Sequence, residues 1–143
     1  MTRKPTAPSP DELESVAALR VALRRFLMAT DTVTAAHGLT PRQYDLLALL
    51  HAHSDDALTS TAIAERLCLS RSATTELVTR AAHAGLIVRS GDEGDARMKH
   101  IAPTREGTRR FYAAVTELRA ERYRLLKLLR VAAGLAATLS TTV

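Results

Sequence analysis

The sequence predicts a mainly α-helical fold carrying one small β-hairpin, and three observations predict it. Alanine (25) and leucine (21) far outnumber valine plus isoleucine (11), a balance that favours helices over sheet. Apolar residues recur at three- and four-residue steps along most of the chain, the spacing of one helical face. Only two short segments, Leu86–Arg89 and Arg97–Ala102, read as strands, and the polar turn Ser90–Asp95 joins them into a hairpin. At 143 residues and 46% apolar, the chain has the length and composition of one globular domain.

The elements follow in order. Residues 1–10 hold three prolines and no aliphatic anchor, and read as a flexible tail. A helix over 11–38 has Asp11, Glu12 and Glu14 in its first turn, where acids suit the helix dipole. Its apolar stripe is Val16, Leu19, Leu23, Phe26 and Val33, with Thr30 in the same row, and Gly38 ends it. Thr40-Pro-Arg-Gln43 is a capping box with Pro41 at the first helical position. Leu39 and Tyr44 are spaced as its hydrophobic staple, and this helix runs to about Ala52. A polar loop, His51–Asp56, leads to a short helix within Leu58–Leu67. Cys68-Leu69 is a tight connection, and Ser70 caps a further helix that runs to about Ala84. Gly85 stops that helix as a C′ glycine. After the hairpin, Pro103-Thr104 opens one long helix carrying Phe111, Val115, Leu118, Arg122, Leu125, Leu129, Ala132, Ala136 and Leu139.

That last stripe is longer than a local core requires, so a partner helix is expected to cover it. The expected dimer seam is Val16, Leu19, Leu23 and Phe26 with Phe111, Val115, Leu118, Arg122, Leu125 and Leu129. Arg122 is the polar break in the seam and needs an acid beside it. Candidates are Glu12, Glu14, Glu117 and Glu121.

The net charge of +5 is uneven: residues 11–58 are net acidic, whereas 59–110 and 111–143 are each net basic. A basic second half suits a polyanionic partner. The two short helices within 59–84 match a helix-turn-helix. The second presents Ser70, Arg71, Ser72, Thr74, Thr75 and Thr79 on its polar side, hydroxyls and a guanidinium suited to phosphates and base edges. A hairpin directly after such a pair makes a winged helix, and its wing carries Asp95, Arg97 and Lys99. An arginine on a narrow tip fits the minor groove, and an aspartate two residues away orients its fork.

Other classes lack support. A single cysteine forms no disulfide framework within the chain. Flanked by Leu67 and Leu69, Cys68 is expected to be buried and inert. His51 and His53, two residues apart, do not share a helical face, and no metal site is expected. The five histidines lie in separate segments without a nucleophile elbow, and there is no glycine-rich phosphate loop, so neither catalysis nor a cofactor is expected. Leu125–Leu139 is broken by Lys127 and Arg130 and does not read as a membrane span. The first ten residues lack the apolar core of a signal peptide, and a cytoplasmic location is the default.

Asp95-Ala-Arg97 followed by Ile101-Ala-Pro-Thr104-Arg-Glu-Gly107 resembles the wing signature of the MarR (multiple-antibiotic-resistance regulator) family. Leu69-Ser-Arg-Ser-Ala-Thr-Thr75, Arg80 and Gly85-Leu-Ile-Val-Arg89 resemble that family's recognition helix running into the wing. Leu39-Thr-Pro-Arg-Gln-Tyr44 resembles the start of its second helix. Pro103 departs from the pattern, which has leucine before the threonine. The resemblance covers residues 11–130 and implies a winged helix-turn-helix lobe, 39–103, between dimerisation helices, 11–38 and 104–143. It further implies a homodimeric regulator, usually a repressor, bound to a pseudo-palindromic operator in double-stranded DNA and often released by a small ligand. Arg97 would enter the minor groove beside Asp95, and an effector pocket would lie near Arg25, His37 and Tyr44. The competing reading is a winged-helix interaction module that grips an acidic protein through the basic helix 119–130.

Overall fold

A computed structural model describes residues 7–55, 58–90 and 100–140, of which 90 and 132–140 by backbone only. The elements are α1 (Pro10–Ala36), α2 (Pro41–Ala52), α3 (Ser60–Arg66), α4 (Arg71–His83), β1 (Ile87–Ser90), β2 (His100–Pro103), α5 (Arg105–Glu117) and α6 (Arg119–Ser140). They fall into two compact units. Asp31–Glu117 forms the first, and the flanking segments up to Thr30 and from Leu118 form the second.

In the first unit, α2 turns Leu46, Leu47 and Leu50 inward, where they meet Ile63 of α3, Leu77 and Val78 of α4, Ile87 and Ile101 of the strands, and Phe111 of α5. Leu39, Leu58, Ala81 and Leu86 complete this core. The strands are antiparallel, with Ile87 opposite Pro103 and Ser90 opposite His100. Proline lacks an N–H, and Pro103 stands on an edge strand of a two-stranded sheet, an allowed position for it. The expected second strand began at Arg97; its described part begins at His100.

Local chemistry sets the helix ends. Thr40 and Gln43 form the predicted capping box, the Gln43 N–H donating to Thr40 Oγ1 (3.2 Å) and the Thr40 N–H to Gln43 Oε1 (3.0 Å). α1 begins with a second box. Ser9 Oγ accepts from the Glu12 N–H (3.2 Å), and Glu12 Oε2 from the Ser9 N–H (2.8 Å). Ser9 and Pro10 therefore belong to the start of α1 and not to a tail through residue 10, because Ser-x-x-Glu with proline at the first position is itself a helix start.

Helices α1, α3 and α4 end in the same motif, in which a residue at positive φ lets the next N–H reach back five residues. Gly85 (φ +69) does so after α4, the Leu86 N–H donating to Ala81 O (3.0 Å), and Gly38 (φ +68) after α1. After α3 the position is held by Cys68 (φ 53), with the Leu69 N–H on Ala64 O (2.9 Å). A non-glycine residue there carries backbone strain of about 1–2 kcal/mol.

The junction between wing and α5 is tight. The Thr104 N–H donates to Leu86 O (2.9 Å), and its hydroxyl donates to Gly85 O (2.6 Å) while accepting from the Gly107 N–H (2.9 Å). Thr104 is thus the N-cap of α5, as predicted, and also its tether. Gly107 is buried against the Leu86 backbone, where a Cβ would stand 2.1 Å from the carbonyl oxygen.

The long last helix is two helices: α5 ends at Glu117 and α6 starts at Arg119. Leu118 between them is fully buried. Gly134, the expected bend, lies inside α6.

The second unit, α6 with α1 as far as Thr30, displays apolar side chains. Leu13, Val16, Val21, Leu27 and Met28 on α1, and Leu126 and Val131 on α6, each expose half or more of their surface. Of the expected seam, Val16, Leu19, Leu23 and Leu129 are exposed, whereas Phe26, Arg122 and Leu125 are half-buried. Phe111 and Leu118 are buried within the chain, and Val115 packs on the core of the first unit. Those three therefore leave the expected seam. α5 packs against α2 and uses this face for its own core.

Candidate nucleic-acid interface

Helices α3 and α4 pack against each other across the turn 67–70. Ser70 caps α4, its Oγ accepting from the Ala73 N–H (3.2 Å) and lying 3.2 Å from Ser72 Oγ. Beyond it, Arg71, Ser72, Thr75, Glu76 and Arg80 are exposed on one side of α4, and Leu77, Val78 and Ala81 are buried on the other. The apolar side holds the helix in the core, and the polar side is presented to solvent.

Thr74 belongs to the buried side. It is 1% exposed, and its hydroxyl donates to Ser70 O (2.9 Å). Its expected place on the groove-facing surface is corrected: three residues before Leu77 and four before Val78, it falls on the inward row of the helix. Thr75 stays outside, its hydroxyl donating to Arg71 O (2.9 Å).

Thr79 is half-buried and accepts a hydrogen bond from Arg89 Nη2 of β1 (2.9 Å). Arg89 carried no assigned role in the sequence reading. The signal that exposes it is strand alternation: Ile87 points into the core, so Arg89, two residues on, leans to the same side. Glu76 is paired with Arg80 (2.5 Å). Among the described residues, exposed Arg71 and Arg89 add further positive charge to this face. Asp95, Arg97 and Lys99 of the wing lie outside the described residues.

Cys68 at the turn is exposed, contrary to the expected burial. Positive φ places it at the apex of the turn, while Leu67 and Leu69 on either side pack against the core. His51 is stacked on Phe111 (centroids 5.1 Å apart, planes at 5°), and burial holds its imidazole below the ordinary value of 6.5. His53 instead meets the Arg66 guanidinium. Among the described residues no three His, Cys, Asp or Glu side chains are grouped to hold a metal.

The expected effector residues are not gathered in one pocket. Arg25 lines a cavity of about 580 Å³ within the helical unit, with Glu14, Ala18, Phe26, Leu125 and Leu128. His37 and Tyr44 do not line it. In the other unit, His37 Nε2 meets Glu117 Oε2 at 2.7 Å, and the Tyr44 ring packs on Phe111 at 5.2 Å.

A helix-turn-helix, an antiparallel hairpin and a polar face on the second helix define a winged helix. Residues 37–98 match the MarR family. The YusO protein from Bacillus subtilis is 26% identical over 95% of this chain and 100% of its own, with a TM-score of 0.65. A MarR family transcriptional regulator from Rhodococcus sp. RHA1 is 25% identical over 95% of this chain and 97% of its own, with a TM-score of 0.68. The fold is a mainly α-helical winged helix-turn-helix, and its central segment is similar to the MarR family. MepR of S. aureus, solved as a complex with DNA, is also 25% identical, over 87% of this chain and 96% of its own, with a TM-score of 0.62. No curated protein sequence matches the chain. The matched residues 37–98 begin just after α1, include α2, α3, α4 and β1, and stop short of β2.

Proposed function

We propose that this chain is a transcriptional regulator that binds double-stranded DNA as a homodimer, acting as a repressor on a pseudo-palindromic operator. The observation that carries this reading is the exposed hydroxyl-and-arginine face of α4 at the front of a MarR-type winged helix. Arg71, Ser72 and Thr75 occupy the first two turns, the part of a recognition helix that reaches base edges. Ser70, as the cap, contributes its hydroxyl at the rim. Asp95, Arg97 and Lys99 are the wing contacts of this reading, with Arg97 in the minor groove. MepR, with the same fold, was solved with DNA bound.

A second copy covers the exposed apolar residues of α1 and α6, burying Val16, Leu19, Leu23 and Leu129. Twofold symmetry then sets two recognition helices one DNA turn, ~34 Å, apart, which a palindrome requires. A small-molecule effector releases the operator, and the cavity beside Arg25 is its candidate site. No helix of the described residues is long and apolar enough to cross a membrane. A regulator that binds DNA in this way works in the cytoplasm, and the location belongs to this reading.

Selection of bound duplexes from a random pool tests the proposal. It should enrich a palindrome whose half-sites lie about one turn apart, and Arg71→Ala should relax the preference at one position in each half-site. Retention of an acidic protein in place of any duplex, or enrichment without symmetry, would overturn it.

A further inference from the structure

We propose that Arg89 is a phosphate-contacting residue, held over the third turn of the recognition helix by the Thr79 hydroxyl. The inference rests on the DNA-binding reading and adds to it a contact from the root of the wing. Three observations carry it. β1 packs on α4, with Ile87 in the core and Arg89 extending past it on the same side of the strand. Arg89 Nη2 donates to Thr79 Oγ1 at 2.9 Å, which fixes the guanidinium against the polar side of α4. On the same helix, the Glu76 carboxylate is paired with Arg80.

The position on the helix determines what this cation meets. When a recognition helix enters a major groove, its first turns approach the base edges and its later turns pass the groove wall. A guanidinium over the third turn therefore faces the phosphate backbone. Among the described residues it gives one of its five N–H donors to Thr79, and in this proposal others meet phosphate oxygens. Such a contact orients α4 but reads no base. Thr79, expected from the sequence to read the groove, acts instead by positioning Arg89. Its hydroxyl accepts from the arginine, so the side chain is ordered before DNA arrives and less entropy is lost on binding.

Binding of the selected operator and of a random duplex, measured across a salt series, tests this. Arg89→Gln should weaken both duplexes alike, by roughly 5–10-fold per recognition helix, and flatten the log–log salt dependence by about 0.9 for each phosphate no longer neutralised. The selected sequence should not change. Arg89→Lys should restore the salt slope but only part of the affinity, since an ammonium lacks the fork. Thr79→Val keeps the charge and frees it, and should weaken binding about 2–3-fold while adding nothing to Arg89→Gln. Thermal unfolding of each variant reports the fold, and Thr79→Val carries the test if Arg89→Gln is unstable. Unchanged affinity and slope in Arg89→Gln, or an altered base preference with the slope intact, would overturn the assignment. A wild-type chain that retains no duplex would overturn the DNA-binding reading itself, and this inference with it.

Discussion

Replacing Gly107 by alanine places a methyl group where the backbone of Leu86 already stands. The added carbon would lie 2.1 Å from the Leu86 carbonyl oxygen, 2.9 Å from its carbonyl carbon and 3.1 Å from its Cα. None of these is the end of a flexible side chain, so α5 itself must retreat by roughly 1 Å to reach ordinary contact distance. That retreat stretches both bonds from Thr104, to Leu86 O and to Gly85 O. Each is worth about 1 kcal/mol. It also loosens the seating of Phe111 and Ala114, a further cost of about 1–2 kcal/mol. Alanine's better helix propensity returns about 1 kcal/mol. The net expectation is a destabilisation of roughly 2–3 kcal/mol, or a fall in Tm of about 10 °C for a chain of this size. Thermal and urea unfolding followed by circular dichroism measure it. Gly85→Ala is the control: no atom lies within 4 Å of its added carbon, and only the positive φ opposes it, at about 1 kcal/mol. A Gly107→Ala chain as stable as wild type, or one damaged less than Gly85→Ala, would refute the reasoning.

Four further outcomes are expected. Cys68→Gly should stabilise the chain by about 1 kcal/mol in urea unfolding, because glycine relieves the positive φ that closes α3. Stability should decline as pH falls below 6.5, since the unfolded chain takes up a proton that half-buried His51 resists, and the decline ends below the depressed folded value. His51→Phe should remove that part of the pH dependence in melts run from pH 7.5 to 5. Leu23→Glu with Leu129→Glu, both on exposed positions, should yield monomers in sedimentation while the far-ultraviolet spectrum stays helical. Leu118→Glu, at a fully buried site, should unfold the chain instead.

Much of the fold is legible in the sequence because its helix ends are written in short-range chemistry. Thr40 with Gln43, Ser70, Gly85 and Thr104 act within a few residues of themselves, and each closes or opens a helix where the pattern predicts. The break at Leu118 was not legible. The three-four spacing runs through Phe111, Val115, Leu118, Arg122 and Leu125 with no break at Leu118, and only tertiary packing decides that the first part serves one unit and the rest another. Thr74 was misread for a related reason. Threonine suits a groove-facing surface and a buried helix face equally, because its hydroxyl satisfies itself on the carbonyl four residues back. Cys68 was misread because residue type suggests burial, whereas the turn geometry it occupies overrides that preference. Arg89 was overlooked because its partner Thr79 lies on a different element, ten residues earlier, and no local pattern links them.

The Thr104–Gly107 corner bears on how such proteins diversify. Thr104 and Gly107 are occupied in fastening α5 onto the Gly85–Leu86 bend. The exposed positions Arg71, Ser72, Thr75 and Glu76 take no part in that corner, and Leu77, Val78 and Ala81 on the reverse side of α4 hold the helix without them. Architecture and address are thus encoded on separate sets of side chains. A gene duplicate can rewrite the four outward positions, and so search for a new target, while its melting point barely moves.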